Sequence, residues 1–333
     1  MRQKVTDMDA ITKFLSTPGG GTITRRQLFQ ALGLGATAAV TAAALPRTLL
    51  AMGVGQAAGA AKSFPVTTVN HLSYASENYK VTRDFYVDLL GMRNVWDDGL
   101  KCQLDCGPED APNSFYLTPA KPGTAPTVGH FSFGLPDYWS LVGQLKDELY
   151  RRNLPGVHPD GEAGWFVNGP SGFVQHIVTV KDEAMFPGAA APCEVKNSAK
   201  CKDAYAAGIK NIASVPKASG QGFKALYFKY IVLHVPDVAR EADFYTSLMG
   251  MKPVSQKKDD VALRFGDNTL VLRPAGVDGK PYCNEFGFVV DNYDQAKVKA
   301  ELDRRGIASQ PSAAGGLALK DPNGLEVGIA GRA

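Results

Sequence analysis

The sequence predicts an α+β protein built from two tandem domains, and three observations lead to this prediction. The chain has 333 residues, which is enough for two domains of ordinary size. The segment FYVDLLGM at residues 85–92 returns as FYTSLMGM at residues 244–251. Around each copy, the sequence pattern predicts a strand, a helix and a few further strands, after which the same order starts again. The repeat indicates one fold that is used twice.

Residues 1–60 are predicted to be an export signal and not part of this fold. Arg25 and Arg26 precede an apolar stretch and resemble the twin-arginine motif. The run at 31–45 is rich in Ala and Gly, and it is too short and too mild to span a membrane. An A-x-A cleavage site follows at 58–60. We therefore expect a periplasmic or secreted protein without a membrane span in the mature chain; an amphipathic helix with two incidental arginines is the alternative.

The first domain is predicted over residues 66–182. A short strand, VNHLSYA, opens it, and the next segment carries Phe85, Leu89 and Met92 at helical spacing. Gly91 stands where the end of a helix favours a residue with positive φ. The stretch GHFSFGLPDY then predicts a strand and WSLVGQLKDELYRRN a second helix, and NGPSGFVQHIVTV predicts a closing strand after a glycine turn.

The second domain is predicted over residues 224–333 and repeats this order. It opens with YIVLHV and continues with NEFGFVVDNY, DQAKVKAELDRRG and KDPNGLEVGIA. Residues 183–223 between the domains are rich in Ala, Pro, Gly and Lys and have little periodicity, which is typical of a linker.

Charge and cysteine content narrow the function further. The formal net charge is only +3, and no dense basic face interleaved with aromatic residues occurs, so we expect no nucleic-acid partner. Cys102 and Cys106 are not at the spacing of a zinc knuckle. Cys193 and Cys201 flank a short polar loop, where they are either a local disulfide in an oxidising compartment or two free thiols.

Strand periodicity separates a polar from an apolar face in the first domain. In GHFSFGL, large apolar residues alternate with small and polar ones, so His130 lies on the face opposite the aromatic side chains. The apolar face carries Phe131, Phe133 and Leu135. In the first strand, the face of His71 carries Val69, Ser73 and Ala75. We expect the apolar face to pack on helices and the polar face, with both histidines, to line a cavity.

The aligned pieces resemble the vicinal oxygen chelate superfamily, which includes glyoxalases, extradiol dioxygenases, epimerases and bleomycin-resistance proteins. The matching pieces are the NH…FY…LGM start, the HFSFGLPD strand and the DPNG turn before the last strand. The resemblance covers nearly all of the mature chain, twice. It implies that each domain is a pair of βαβββ modules that form an open, curled mixed sheet around a metal or ligand cavity.

The resemblance also implies metal ligands in the first domain. Family members take ligands from the first strand of each module and from the last strand of the domain, and His71 and His130 match the first two positions. His176 matches the third position, where Glu is typical, and Gln175 is the alternative if the turn is shifted by one residue. A set of three histidines suits a divalent transition metal better than magnesium. We expect Fe, Zn, Ni or Mn, without a choice among them.

The second domain lacks these ligands, because Tyr230, Glu285 and Gly328 stand at the three matching positions. We expect that its metal site has been lost. Glu285 is a candidate catalytic residue in a polar pocket. The other interpretation is that it forms an ion pair with Arg273 or Arg264.

The resemblance implies an exported, metal-dependent enzyme of the glyoxalase-like lyase or isomerase type. Its small substrate would chelate a divalent metal through vicinal oxygens, and Tyr116 is the candidate that positions it. The sequence identifies no clear general base in the first domain. The alternatives are an extradiol-type ring-cleaving dioxygenase and a non-catalytic binding protein of the bleomycin-resistance type. Family domains pair within one chain or between two, so an intrachain pair and a homodimer both stay open.

Overall fold

The computed structural model describes residues 61–109, 111–160, 164–180, 222–256, 259–312 and 315–332. The predicted export signal, most of the predicted linker and both Cys193 and Cys201 lie outside the described residues. All described residues belong to one compact unit, Gly59–Ala333. Within the described ranges, no helix is both long enough and apolar enough to cross a membrane.

Each half of the chain contains eight strands and two helices in its described part. The first half runs through β1 (Thr68–Ser76), α1 (Tyr79–Leu90), β2 (Arg93–Asp97), β3 (Cys102–Cys106), β4 (Asn113–Pro119), β5 (Thr127–Leu135), α2 (Tyr138–Arg151), β6 (His158–Pro159), β7 (Gly164–Asn168) and β8 (Val174–Thr179). The second half runs through β9 (Ala225–Val235), α3 (Val238–Met249), β10 (Lys252–Gln256), β11 (Val261–Phe265), β12 (Asn268–Pro274), β13 (Tyr282–Val290), α4 (Gln295–Arg304), β14 (Ser309–Pro311), β15 (Leu317–Lys320) and β16 (Glu326–Ala330).

The two halves form two mixed sheets with the same topology. The strand order is β2-β3-β4-β1-β5-β8-β7-β6 in the first sheet and β10-β11-β12-β9-β13-β16-β15-β14 in the second. Strand β1 is parallel to β4 and antiparallel to β5, which is in turn parallel to β8. Both sheets are open, because their outermost strands do not pair with each other. The predicted α+β fold, with two βαβββ modules in each half, is confirmed.

Helices α1 and α3 begin and end at corresponding residues. The side chain of Asn78 caps α1 by accepting hydrogen bonds from the second and third backbone N–H groups that follow it, and Asp237 caps α3 in a similar way. Gly91 and Gly250 end these helices in the left-handed region, with φ of 59° and 64°. The prediction that Gly91 ends a helix is confirmed, and Gly250 ends the corresponding helix of the second half in the same way.

The apolar faces of the two sheets share one core, where the phenylalanines of the repeated strand meet the other half. The ring of Phe133 lies 5.3 Å from Phe265 and 6.0 Å from Tyr245 on α3, and Phe286 lies 5.5 Å from Phe115. The expectation that this face packs on helices is thus incomplete. Two helices cannot cover an eight-stranded sheet, so the other half of the chain covers the rest.

A β-bulge at Asn70 corrects the predicted face of β1. In the register of β1 with β5, Val69 pairs with Phe133 but His71 pairs with Ser132. The extra residue between them reverses the alternation of side chains. Val69 therefore lies on the buried apolar face and not, as predicted, on the face of His71.

Candidate metal centre

Three histidines meet on one face of the first sheet. They come from adjacent strands: His71 on β1 and His176 on β8 are both in register with Ser132 of β5, and His130 precedes Ser132 by two residues. Their metal-binding nitrogens all lie within 4.8 Å of one another. The Nε2 atoms of His71 and His130 are 3.2 Å apart. The positions that the resemblance implied thus converge.

The structure separates His176 from its alternative, Gln175. Gln175 is in register with Phe131, on the face that packs against the other half of the chain. Its side chain is fully buried there, and neither polar atom has a hydrogen-bond partner among the described residues. Because consecutive residues of a strand point to opposite faces, His176 and not Gln175 lies with the other two histidines.

Asn70, the bulge residue, determines which nitrogen of His71 is available. The Nδ2 group of Asn70 donates to the carbonyl oxygen of Thr179 at 3.4 Å, so its Oδ1 faces His71. That oxygen is 2.8 Å from Nδ1 of His71 and accepts a hydrogen bond from it. With the proton on Nδ1, the lone pair of His71 is on Nε2, which faces His130. Periodicity did not single out Asn70, although it is part of the NH pair in the opening motif.

Burial keeps all three imidazoles neutral. It lowers the pKa of His71 well below its usual range, and the neighbouring His130 and His176 add to this effect. Burial lowers the pKa of His130 to about 4. The pKa of His176 is also well below its usual range, because of burial first and then because of His130 and His158. Neutral imidazoles have the lone pairs that a metal ion requires.

The three side chains fit a divalent transition metal. Borderline metals such as zinc, iron and nickel take imidazole nitrogen as a ligand, and three protein ligands leave a position for a substrate. Nδ1 of His176 is buried and makes no hydrogen bond to a described residue. A buried nitrogen with no partner is unfavourable unless something else binds it.

Aromatic side chains form the walls around the histidines. The ring of Tyr116 on β4 meets His71 edge-on at 4.9 Å, so this candidate lies beside the cluster. The ring of Phe166 on β7 is stacked on His176 of β8 at 4.1 Å. The ring of His158 on β6 is in turn stacked on Phe166 at 4.8 Å. The sequence did not single out Phe166, because β6 and β7 are too short to show a periodic pattern.

In the second half, a tyrosine ring fills the place that corresponds to the histidine cluster. Tyr230 is 2% exposed, and its hydroxyl is 3.4 Å from the Oγ of Ser312. A β-carbon at Gly287 would collide with the ring of Tyr230, and one at Gly328 would collide with its hydroxyl. The two glycines leave the space that this ring occupies.

Glu285 lies in a pocket of the second sheet and not beside the histidines. Its carboxylate accepts a hydrogen bond from Arg273 at 2.6 Å, and the same guanidinium contacts Asp260 at 3.1 Å. Of the two arginines considered as partners, the structure has Arg273. The pocket has a volume of about 230 Å³, and Tyr230 and Lys229 also line it.

No family model and no curated protein matches the sequence. Solved structures, however, share the fold. They include the 2,3-dioxygenase LapB from Pseudomonas sp. KL28, with a TM-score of 0.57, 15% identity and coverage of 81% of this chain and 94% of that chain. A Mn(II)-bound glyoxalase from Novosphingobium aromaticivorans has a TM-score of 0.56, 16% identity and coverage of 80% and 82%. Homoprotocatechuate 2,3-dioxygenase from Arthrobacter globiformis has a TM-score of 0.58, 14% identity and coverage of 80% and 80%.

Proposed function

We propose that the first half of the chain is a metal-dependent enzyme centre of the vicinal oxygen chelate type. His71, His130 and His176 would hold a divalent transition metal, and a small substrate would bind through two adjacent oxygens. The observation that carries the proposal is the convergence of three largely buried, neutral imidazoles from three strands, with ligand atoms within 4.8 Å of one another. Both ring nitrogens of His176 are buried without a hydrogen bond to a described residue, which is unfavourable unless something else binds one of them.

The chemistry divides between the ion and the chain. A divalent metal in this position supplies positive charge that stabilises an oxyanion on the chelated oxygens. The protein contributes a fixed set of donors, because Asn70 orients His71 and Phe166 holds the His176 ring by stacking. The phenol of Tyr116, beside His71, is available to orient the substrate. Glu285 is assigned to the separate pocket of the second sheet.

For the reaction we favour a glyoxalase-like lyase or isomerase. Such a reaction needs charge stabilisation and proton transfer but no oxidant, and the Mn(II)-bound glyoxalase with the same fold supports this choice. A ring-cleaving dioxygenase is the second candidate, and the 2,3-dioxygenases with this fold support it. A binding protein without catalysis is the alternative from another class.

Metal analysis of the protein purified without chelators tests the proposal. We expect about one equivalent of Fe, Zn, Ni or Mn per chain, lost in the His71→Ala and His130→Ala variants because each removes one donor. His234→Ala, in the second half, is the matched control and should retain the metal. Turnover of an α-ketoaldehyde–thiol adduct then indicates the lyase, and oxygen uptake with a catechol indicates the dioxygenase. If no stoichiometric metal binds and both variants keep wild-type ligand binding and stability, the proposal is wrong.

We also propose that the chain is exported through the twin-arginine pathway, on the basis of Arg25, Arg26 and the apolar run behind them. The wild type should then appear in the periplasmic fraction or the medium, and a double Arg→Lys variant of this pair should stay in the cytoplasm. The same distribution for both chains would contradict export by this route.

A further inference from the structure

The cavity of about 230 Å³ on the second sheet has a floor made from one row of paired residues. The row crosses five strands: Ser255 on β10, Ala262 on β11, Val271 on β12, Val232 on β9 and Glu285 on β13. Paired residues of neighbouring strands point to the same face of a sheet. The middle of the floor is therefore aliphatic, and its two ends are polar.

This space exists because two large side chains of the first sheet have small counterparts here. By strand register, Val271 corresponds to Tyr116 of the first sheet. In the same way, Ala262 corresponds to Gln103. Tyr116 and Gln103 are both buried, so they fill this place in the first half. In the second half the ring of Tyr230 occupies the place of the histidine cluster, and the small residues open a space beside it.

One side of the cavity presents hydrogen-bond donors and acceptors next to each other. The guanidinium of Arg273 donates from Nη1 to Oε2 of Glu285 at 2.6 Å and from Nε to Oδ2 of Asp260 at 3.1 Å. Each carboxylate has a second oxygen, and neither this oxygen nor Nη2 of Arg273 makes a hydrogen bond to a described residue. All three side chains are partly exposed, so a small molecule can reach these atoms.

The charges that line the cavity cancel. Two cations, Lys229 and Arg273, stand against two carboxylates, Asp260 and Glu285. An ion would enter without a counter-charge, which is unfavourable in a partly enclosed site. A hydroxyl group, in contrast, donates one hydrogen bond and accepts others. Two adjacent hydroxyls can therefore donate to a carboxylate oxygen and accept from the guanidinium without adding charge.

We propose that this cavity binds a neutral small polyol. Two adjacent hydroxyl groups of the ligand contact Arg273 and Glu285, and its C–H face lies on Val232 and Val271. Apolar walls with a few placed polar groups are typical of small-molecule sites. The site is separate from the metal centre, so the proposal does not depend on the proposed function. Glu285 is then a binding residue of the second half.

Amide-detected NMR titration of the full chain tests the proposal with probes that share one ring: vicinal trans-cyclohexanediol, cyclohexanol and cyclohexanecarboxylate. The diol should shift the amide signals of Val232 and Val271 saturably. Its affinity should be at least about 10-fold above that of cyclohexanol, because the second hydroxyl adds a hydrogen bond to a charged group. Cyclohexanecarboxylate should bind no better than cyclohexanol, because the lining carries no net charge.

Two variants test the cavity itself. Val271→Tyr introduces the side chain that the first sheet has at this place, so it should fill the cavity and abolish binding of the diol. Glu285→Gln keeps the volume and removes the ionised acceptor, so the affinity for the diol should fall at least about 5-fold. Asp243→Asn, an exposed carboxylate on α3, is the matched control and should bind the diol as the wild type does. If circular dichroism shows that Val271→Tyr does not fold, Glu285→Gln decides alone.

Three results would overturn the proposal. Without saturable shifts at Val232 and Val271, the cavity is not a site for the diol. Equal affinities for the diol and for cyclohexanol, or an unchanged affinity in Glu285→Gln, would mean that the hydroxyls are not recognised. Shifts confined to the strands around His71 would assign the diol to the metal centre instead, and the proposed function would be unaffected.

Discussion

Asn70 and Lys229 occupy the same backbone position in the two halves, at the bulge of β1 and of β9. Each side chain donates to a carbonyl oxygen at the end of the last strand of its half, Asn70 to Thr179 at 3.4 Å and Lys229 to Gly331 at 3.1 Å. An amide also has an oxygen that can accept from a histidine, whereas an ammonium has donors only. Asn70 can therefore orient a histidine, whereas Lys229 can only donate to the carbonyl oxygen.

Burial of His130 leads to a pH prediction for the metal-free protein. Its pKa is about 4 in the folded chain, below the ordinary value of 6.5. Below pH 6.5 the unfolded chain binds a proton that the folded chain does not, so the free energy of unfolding falls as the pH falls toward 4. For this one residue the loss over that range is at most about 3 kcal/mol.

Urea unfolding of metal-free wild type and His130→Asn at pH 7, 6, 5 and 4.5 measures this loss as a difference between the two chains. Groups away from the cluster titrate in both proteins and cancel. His130 also lowers the pKa of His71 and of His176, so its removal weakens their pH dependence as well, and the wild type should lose more stability than the variant as the pH falls. Parallel curves would contradict a buried, neutral His130.

At the level of strands, the alternation of apolar and polar residues predicted the two faces of β5 correctly and those of β1 only in part. The aromatic residues of β5 and His130 lie on opposite faces, as their spacing indicates. Val69 was misplaced because a bulge interrupts the period of two, and nothing in the apolar pattern marks the extra residue. His176 was identified through the family resemblance.

The packing of Tyr230 in the second sheet predicts the effect of a single methyl group. A β-carbon at Gly328 would collide with the Tyr230 hydroxyl, so Gly328→Ala requires the ring or the strand to move. We expect a loss of about 1–3 kcal/mol in the free energy of unfolding. Gly276→Ala is the matched control, since nothing lies within 4 Å of its β-carbon position. Equal denaturation midpoints for the two variants would show that Tyr230 can leave this space without cost.

Over the whole molecule, the two halves dock on each other reciprocally. The N–H of Phe64 donates to the carbonyl oxygen of Leu248 near the end of α3, and the N–H of Phe223 donates to Leu89 near the end of α1, each at 2.7 Å. The turn before the last strand of each half also meets the helix of the other. The backbone N–H of Ser171 donates to the carboxylate of Glu241 on α3 at 3.0 Å.

In the opposite direction, Asp321 from the turn of the second half accepts hydrogen bonds from two tyrosines of the first. Its Oδ2 lies 2.7 Å from the hydroxyl of Tyr74 and 3.1 Å from that of Tyr86, and all three side chains are buried. A buried hydroxyl that loses its acceptor costs about 1–3 kcal/mol. The contact therefore couples the stability of one half to the other.

Replacing Asp321 by Ala should destabilise the first half, although the substitution lies in the second. We expect a loss of about 2–6 kcal/mol, because two buried hydroxyls lose their acceptor at about 1–3 kcal/mol each. All three tryptophans of the chain precede residue 180, so their fluorescence reports on the first half, whereas far-UV circular dichroism reports on both. In urea the two signals should change together and shift by the same amount, as one shared core requires. Asp243→Ala, on the exposed side of α3, should shift neither. A fluorescence midpoint that stays at the wild-type value in Asp321→Ala would mean that the halves unfold independently.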